Sequence, residues 1–263
     1  MPEKQQIVTQ RAPENACELW RYIEDSIPAF NPECFDEHIL ARKNLVDGLA
    51  TAGRGNTVFF TLENKPLVLR HYRRGGLVRH ISEAHYVYTG MSASRALREF
   101  DMLVYLQSLS LPAPLPYACR VQRKGLLYKA SLITYRLPGN TLAQCISDIG
   151  SSRGQDHALG AQQWSDLGKT IAGFHAAGIY HADLNAHNII IENSQRIALL
   201  DFDRSCIKRL PKRPAESGWC HDNMKRLLRS IKKLAINNNL TSGFDLCEAR
   251  WRHYLTNPDQ VSL

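Results

Sequence analysis

The stretch YHADLNAHNIIIENSQRIALLDFDRS, which begins at Tyr180 and ends at Ser205, constrains the fold more than any other part of the sequence. Its two apolar runs, NIII and IALL, are separated by the polar turn ENSQR, a pattern that predicts two short strands paired as a hairpin. Such pairing would carry Asn188 and Asp201 to the same open end of the hairpin, with Asp183 in the loop just ahead. The sequence therefore predicts that three oxygen-bearing side chains converge without help from a distant element.

These side chains suit phosphoryl-transfer chemistry. Carboxylate and amide oxygens are ligands of Mg²⁺, which completes its shell with waters and phosphate oxygens, and a carboxylate outside that shell can accept a proton from an attacking hydroxyl. HADLNAHN matches H-x-D-x-x-x-x-N, the catalytic loop of protein kinases, and LLDFD matches the strand and DFG element that follow it in those enzymes. The alternative is a loop whose aspartates only cap a helix and a turn, and the layout of the rest of the chain disfavours it.

Upstream kinase features are present in altered form. Gly53 and Gly55 fill the first two positions of a G-x-G-x-x-G loop, whereas Val58 stands at the third. We predict that this loop binds ATP phosphates through backbone N–H groups, and the alternative is a plain turn. Arg70 in LVLR stands where protein kinases have the lysine of V-A-I-K. Its guanidinium can hold phosphates and pair with a carboxylate, for which Glu99 is the candidate, unless Glu99 is simply an exposed helix residue.

The order of the patterns predicts an α+β, protein-kinase-like two-lobe fold. A small antiparallel-sheet N-lobe is expected over residues 46–137 and a mostly helical C-lobe over 138–263. Residues 1–45 are expected to form an N-terminal extension, irregular apart from a helix near 14–24. Strands are predicted in TVFFTL, PLVLRHY, ACRVQ and LLYKASLITYRL. Helices are predicted at 92–109, in TLAQCISDI, in QQWSDLGKTIAGFHAAG and, as the last in the chain, at about 219–236.

Composition and charge narrow the classes of partner. The net charge of +8 favours anionic partners, although for any one of the basic clusters RHYRR, KRLPKR and KRLLRSIKK the alternative is a solvated surface. The seven cysteines form no CxxC pair, which predicts reduced thiols in a cytosolic protein. The N-terminus lacks the apolar core of a secretory signal, and no apolar run is long enough to span a bilayer, so we expect a soluble or surface-bound protein.

Several motifs together resemble one known family. GRGNTVFF, VLRHYRRGG, SRALREFDMLVYL, YHADLNAHNIII, LLDFDRS and WCHDNMKRLLRSIKK are similar to segments of the 3-deoxy-D-manno-octulosonic acid (Kdo) kinases, lipopolysaccharide core kinases with a protein-kinase-like fold. The resemblance covers about residues 25–235. It implies an enzyme that uses ATP and Mg²⁺ to phosphorylate the 4-hydroxyl of Kdo on a lipid A precursor. It also implies a peripheral protein at the cytoplasmic side of the bacterial inner membrane.

The resemblance assigns roles to individual residues. Arg70 departs from the lysine of general kinases but fits the RHYRRGG pattern of this subgroup. The implied roles are catalytic base for Asp183, orientation of the loop for His181, metal ligation for Asn188 and Asp201, and phosphate positioning for Arg70 and Glu99.

Basic residues are candidates for contacts with the acceptor and the membrane. A Kdo-bearing lipid A precursor carries a carboxylate and phosphates, and we expect some of Arg73, Arg74 and Arg79 to bind those anions, since the Gly75-Gly76 pair would let the chain fold over the mouth of the cleft. The basic face of the last predicted helix is a candidate contact for anionic headgroups, at about 1 kcal/mol per charge, and the alternative is the solvated back of a core helix. That face holds Lys225, Arg226, Arg229, Lys232 and Lys233.

Other functions remain open at this point. One is another small-molecule kinase of the same fold, such as a core heptose kinase or an aminoglycoside-type phosphotransferase. A protein kinase is disfavoured because no APE motif follows DFD and the segment after it is short. A non-catalytic kinase-like binding protein is disfavoured because Asp183, Asn188 and Asp201 are all present. No nucleic-acid partner is predicted, because the basic clusters lack interleaved aromatic residues for stacking.

Overall fold

The computed structural model divides into two compact units, one formed by residues up to 105 with 114–136 and the other by 106–113 with 137 onward. We refer to them as the sheet unit and the helical unit. The residues that the structure describes are 6–13, 15–49, 57–72, 86–87, 90, 93–149, 159–192, 196–210, 217–237 and 244–257.

The sheet unit is built on one antiparallel sheet. Its strands run in the order β1-β2-β7-β8-β5-β4-β3, and β6 pairs with the part of β8 that β5 does not reach. The strands are β1 (Ile7–Ala12), β2 (Asn15–Ile23), β3 (Val46–Leu49), β4 (Thr57–Leu62), β5 (Lys65–His71), β6 (Tyr86–Val87), β7 (Pro116–Lys124) and β8 (Leu127–Tyr135).

The strands predicted in TVFFTL and PLVLRHY are confirmed, and they pair as the β4–β5 hairpin. Leu62 pairs with Lys65, so Glu63 and Asn64 form a two-residue turn, and their φ angles of 47° and 62° are those of a type I′ turn. Alternate residues of both strands are buried, as expected for a sheet with one face on the core. The hairpin places Arg70 near the end of β5, opposite Thr57.

The predicted helix near 14–24 is wrong, because these residues form strand β2. Its aromatic side chains reach the core of the sheet unit, where the ring of Tyr22 stacks on Phe30 at 4.1 Å and Trp20 lies 6.0 Å from the same ring. Residues 18–22 of β2 pair with β7, about a hundred residues later in the chain. Cross-strand pairing and aromatic packing decide such a segment more strongly than its intrinsic helix propensity.

Two short helical segments and one long helix complete the sheet unit. A 3₁₀ turn (Pro32–Phe35) and α1 (Glu37–Arg42) follow β2, and they bury Phe35 and Leu40 in the core. α2 (Arg95–Ser108) confirms the helix predicted at 92–109.

The helical unit contains the other predicted helices and one that was not predicted. The helices are α3 (Leu142–Ile149), α4 (Ala161–Ala176), α5 (Gly218–Asn237) and α6 (Phe244–Thr256). The first three confirm the predictions, whereas the prediction that α5 is the last helix is wrong. α6 buries Cys247, Trp251 and Leu255 along one face. It approaches α4 so closely at Gly168 that a Cβ there would lie 2.2 Å from the carbonyl oxygen of Cys247.

Short strands connect the helices of this unit. They are β9 (Asn140–Thr141), β10 (Ile179–Tyr180), β11 (Ile189–Ile191), β12 (Ile197–Leu199) and β13 (Cys206–Ile207), and they form the antiparallel groups β12-β11-β9 and β10-β13. The combination of a sheet unit and a mostly helical unit confirms the α+β class. Among the helices described, none has both the length and the apolar character needed to cross a membrane.

Candidate active site

The β11–β12 hairpin brings Asn188 and Asp201 together as predicted. Ile189 pairs with Leu199, and the next backbone hydrogen bond runs from the N–H of Leu200 to the carbonyl oxygen of Asn188 at 2.8 Å. Asn188 therefore precedes the first strand, and Asp201 follows the second, at one end of the hairpin.

Asp183 lies in a loop whose backbone is held by two amide side chains. Its carbonyl oxygen accepts hydrogen bonds from Nδ2 of Asn188 at 2.9 Å and from Nδ2 of Asn185 at 3.0 Å. Asn185 also caps the 3₁₀ turn Ala186–Asn188, accepting from the N–H of His187 at 2.9 Å. The side chain of Asp183 is 64% exposed. The loop is thus fixed while the carboxylate stays open to a reactant.

His181 ties this loop to the strand before Asp201. Its Nε2–H donates to the carbonyl oxygen of Leu200 at 2.7 Å, and its Nδ1 accepts from the N–H of Asp183 at 3.3 Å. The ring is buried with its edge against Phe202, at a centroid distance of 4.9 Å. Burial lowers the pKa of His181, so the imidazole is neutral near pH 7 and both nitrogens are engaged. We call residues 181–188 the catalytic loop, because HADLNAHN resembles that loop of protein kinases. Leu200 is bonded to this loop through its N–H and its C=O, which fixes the position of the residue that follows it.

The segment containing Asp201 has two residues with positive φ and ends at the short antiparallel pair of β10 and β13. Asp201 has a φ of 59°, in the left-handed region that side-chain-bearing residues rarely adopt, and Arg204 has a φ of 63°. The Oδ1 of Asp201 accepts from the N–H of Asp203 at 3.4 Å. The pairing of Tyr180 with Cys206 joins the start of the catalytic loop to the end of this segment.

A chain of buried hydrogen bonds, which the sequence did not indicate, reaches the loop from three helices. Trp251 Nε1–H of α6 donates to Nδ1 of His175 on α4 at 2.8 Å, and Nε2 of His175 lies 3.1 Å from Oδ1 of Asn223 on α5. Nδ2 of Asn223 then donates to the carbonyl oxygen of His181 at 2.7 Å. Burial lowers the pKa of His175 to about 4. His175 is therefore neutral, and it donates to Asn223 because its Nδ1 is already an acceptor.

One face of α5 lies along the catalytic loop. Ser230 Oγ accepts from the N–H of Ala186 at 3.1 Å, and Nη1 of Arg226 lies 3.8 Å from Oδ1 of Asp183. With Asn223, these residues are spaced three and four apart, which places them on one helix face. The signal available in the sequence was an asparagine and a serine in line with the buried apolar residues of this helix, but nothing local shows what those polar groups bind.

In the sheet unit, Arg70 and Glu99 form the ion pair predicted from the sequence. Nη2 of Arg70 contacts Oε2 of Glu99, which is 4% exposed. The hydroxyl of Tyr72 also donates to Oε2 of Glu99, and the Arg70 guanidinium lies 4.9 Å from the centre of the Tyr72 ring. The pKa of Tyr72 is raised well above its ordinary value, first by burial and then by the charge of Glu99. The phenol therefore stays a hydrogen-bond donor to the carboxylate.

Five residues predicted from the sequence lie outside the described residues. They are Gly53, Gly55, Arg73, Arg74 and Arg79.

The donor set at the hairpin end fits a hard cation. Asn188 donates its amide N–H to Asp183, which leaves its carboxamide oxygen as the atom for a metal, and Asp201 contributes a carboxylate. Within the described ranges, no group of three or more His, Cys, Asp or Glu side chains is arranged to hold a metal. A shell with few protein oxygens, completed by water and phosphate, is the mode in which Mg²⁺ binds at nucleotide sites.

Comparisons with known proteins show which family this chain is similar to. The model of the lipopolysaccharide kinase (Kdo/WaaP) family matches residues 42–252. The 3-deoxy-D-manno-octulosonic acid kinase of Vibrio vulnificus (strain YJ016) is 36% identical over 222 residues, which cover 84% of this chain and 88% of that protein. The enzyme of the same name from Stenotrophomonas maltophilia (strain K279a) is 40% identical over 182 residues, covering 69% and 68%. A solved structure of WaaP in complex with acyl carrier protein aligns over 97% of this chain and 94% of its own, with 12% identity and a TM-score of 0.49.

Proposed function

Because the chain belongs to the lipopolysaccharide kinase (Kdo/WaaP) family, we propose that it transfers the γ-phosphoryl group of ATP to the 4-hydroxyl of Kdo on a lipid A precursor. It is a phosphotransferase with a hydroxyl acceptor. The observation that supports this site most strongly is the pair of hydrogen bonds that Leu200 makes, one in which its C=O accepts from His181 and one in which its N–H donates to Asn188. These bonds hold the loop of Asp183 against the strand that precedes Asp201.

Asp183 is the proposed catalytic base. Its carboxylate is exposed on a loop whose backbone is fixed, so it can take the proton of the acceptor hydroxyl as the hydroxyl oxygen bonds to the γ-phosphorus. The bond between that phosphorus and the β–γ bridging oxygen of ATP breaks in the same transfer, and this oxygen leaves as part of ADP. His181 is the positioning residue, since its two nitrogens hold the Asp183 N–H and the Leu200 carbonyl.

Asn188 and Asp201 are the proposed ligands of Mg²⁺. When bound, the cation neutralises the charge that gathers on the phosphate oxygens during transfer. The carboxamide oxygen of Asn188 is oriented by the bond that its Nδ2 donates to Asp183. This bond couples the position of the metal ligand to that of the base.

Arg70 is proposed to position the phosphates of ATP. Its guanidinium is held by Glu99 and lies over the Tyr72 ring, and the Arg70 side chain is 25% exposed to solvent. A guanidinium held by a buried carboxylate is fixed in orientation, and its planar N–H donors match the geometry of phosphate oxygens. Gly53 and Gly55 are proposed to contribute backbone N–H groups to the same phosphates.

Anions of the acceptor and of the inner membrane are the proposed partners of the basic residues. Some of Arg73, Arg74 and Arg79 would bind anions of the acceptor, and changing Arg73 and Arg74 to alanine should raise the acceptor KM. Peripheral attachment at the cytoplasmic side of the inner membrane is supported by exposed cations on α5. These are Lys225, Arg229, Lys232 and Lys233.

The direct test uses the full chain with ATP, Mg²⁺ and a Kdo-bearing lipid A precursor, with mass spectrometry to detect one added phosphate. Asp183→Ala should lower kcat by about 10²–10⁴-fold, the usual contribution of a general base. Its affinity for ATP should be kept, because the base acts on the acceptor. A wild-type chain that adds no phosphate, or an Asp183→Ala variant as fast as wild type, would contradict the proposal.

A further inference from the structure

The guanidinium of Arg226 lies beside the proposed base and is given no role by the chemistry above. Its Nη1 is 3.8 Å from Oδ1 of Asp183, and the two side chains are 47% and 64% exposed. This distance is longer than the roughly 2.7–2.9 Å of a direct charge-assisted hydrogen bond. An exposed pair of this kind contributes little to stability, so stabilisation of the fold does not explain why a cation stands here.

The backbone of Arg226 is held firmly relative to the catalytic loop. Three residues earlier, Asn223 donates to the carbonyl oxygen of His181, and four residues later, Ser230 accepts from the N–H of Ala186. These bonds attach α5 to both ends of the loop that carries Asp183. Arg226 is therefore placed on the helix face that meets a reactant at Asp183, whereas the other basic residues of the helix are not in contact with that carboxylate.

The guanidinium is available for an anion. Apart from the long contact with Asp183, it forms no other ion pair within the part of the chain that the structure describes. Its planar set of N–H donors matches a carboxylate bidentately. A small anion that entered with the reactant would thus find an exposed, positioned cation next to the base.

We propose that Arg226 binds the carboxylate of the acceptor sugar acid and thereby holds its reacting hydroxyl at Asp183. The inference rests on the proposed function, in which the acceptor is a 3-deoxy-octulosonic acid. In such an acid, two carbons separate the carboxyl carbon from the carbon that bears the 4-hydroxyl. The two groups are close enough to engage Arg226 and Asp183 together, and a sugar without a carboxylate would lose one of these contacts.

The test compares wild type with Arg226→Gln on two acceptors, the Kdo-bearing precursor and its analogue with a carboxamide in place of the Kdo carboxylate. Arg252→Gln is the matched control, because it removes one exposed charge from another helix of the same unit. We expect Arg226→Gln to raise the acceptor KM about 10- to 100-fold, the range for loss of a charged hydrogen-bonded pair. The KM for ATP should change less than about two-fold, and Arg226→Lys should recover part of the loss because Lys keeps the charge without the planar donors.

The analogue separates the carboxylate from other anions of the acceptor. Wild type should lose about the same factor on the carboxamide, and Arg226→Gln should lose little more, since the two changes remove one interaction. Equal discrimination between the two acceptors by wild type and Arg226→Gln would overturn the proposal. The proposal would also be overturned if the KM defect of Arg226→Gln disappeared on an acceptor that lacks a lipid A phosphate, or if the defect lay in the KM for ATP. If wild type phosphorylates neither acceptor, the proposed function fails together with the role of Arg226. If wild type phosphorylates the Kdo-bearing precursor but Arg226→Gln discriminates as wild type does, only the role of Arg226 fails.

Discussion

Two buried histidines of the helical unit act as neutral hydrogen-bond partners. In His175, Nδ1 accepts from Trp251 and Nε2 faces Asn223, and in His181 the nitrogens face Asp183 and Leu200. A proton added to either ring would convert an acceptor nitrogen into a donor that faces another N–H. Both residues therefore resist protonation, in agreement with the lowered pKa of each.

The folded protein should lose stability as the pH falls, and His175 should cause much of the loss. With a pKa of about 4 when folded against 6.5 as the ordinary value, His175 binds its proton first in the unfolded chain. The free energy of unfolding should therefore be highest above about pH 6.5 and fall by about 3 kcal/mol on approaching pH 4. Denaturant unfolding followed by tryptophan fluorescence at several pH values measures this slope.

His175→Gln should flatten the slope by up to about 1.4 kcal/mol per pH unit, because glutamine cannot take up the proton. A His175→Gln slope equal to that of wild type would contradict the neutral, buried state of His175.

Site residues that lie in one continuous segment could be predicted from the sequence. Site residues that only tertiary structure brings together could not. Asn188 and Asp201 were predicted at one end of a hairpin because two short apolar runs and the polar turn between them specify that hairpin locally. His175, Asn223 and Trp251 belong to three different helices, and their meeting depends on how α4, α5 and α6 pack. No pattern in any one of those helices shows that its polar residue binds the catalytic loop.

At the scale of elements, α5 is the support of the catalytic loop. Asn223→Ala should lower the free energy of unfolding by about 1–3 kcal/mol, because it leaves the His181 carbonyl and the His175 N–H buried and unpaired. Ser230→Ala is the matched change on the same face, and it should cost less because Ser230 is only partly buried. Asn223→Ala should also lower kcat more than it changes the KM for ATP. Equal stability and equal kcat in the two variants would show that Asn223 does not anchor the loop.

Strands and helices whose own residue pattern specifies them were predicted from the sequence. Those whose structure depends on packing against another element of the chain were not. The β4–β5 turn is specified locally by Glu63 and Asn64, which adopt positive φ angles. α4 is specified by its own helical pattern of buried residues. β2 becomes a strand because β7 pairs with it and Phe30 covers its aromatic residues. α6 carries a sparse stripe of buried residues, and its position is set by the close approach that Gly168 of α4 allows.

At the scale of the whole molecule, family, architecture and charge are consistent with one another. Membership of a lipopolysaccharide kinase family agrees with the predicted protein-kinase-like α+β fold. So does the arrangement of the HADLNAHN and DFD segments around the β11–β12 hairpin and the β10–β13 strand pair of the helical unit. The net charge of +8 suits the reactants proposed, since ATP and a sugar acid on a lipid A precursor are both anionic.

The position of the transferred phosphate tests the central claim most directly. After reaction of wild type with ATP, Mg²⁺ and the Kdo-bearing lipid A precursor, phosphorus–proton correlation by NMR identifies the carbon that bears the new phosphate. We expect the new phosphorus signal to correlate with the proton on C4 of Kdo, and in the same reaction time we expect Asp183→Ala to give at most about 1% of that signal. A phosphate attached to another position of the acceptor, or ATP turnover without any phosphorylated sugar, would contradict the assignment.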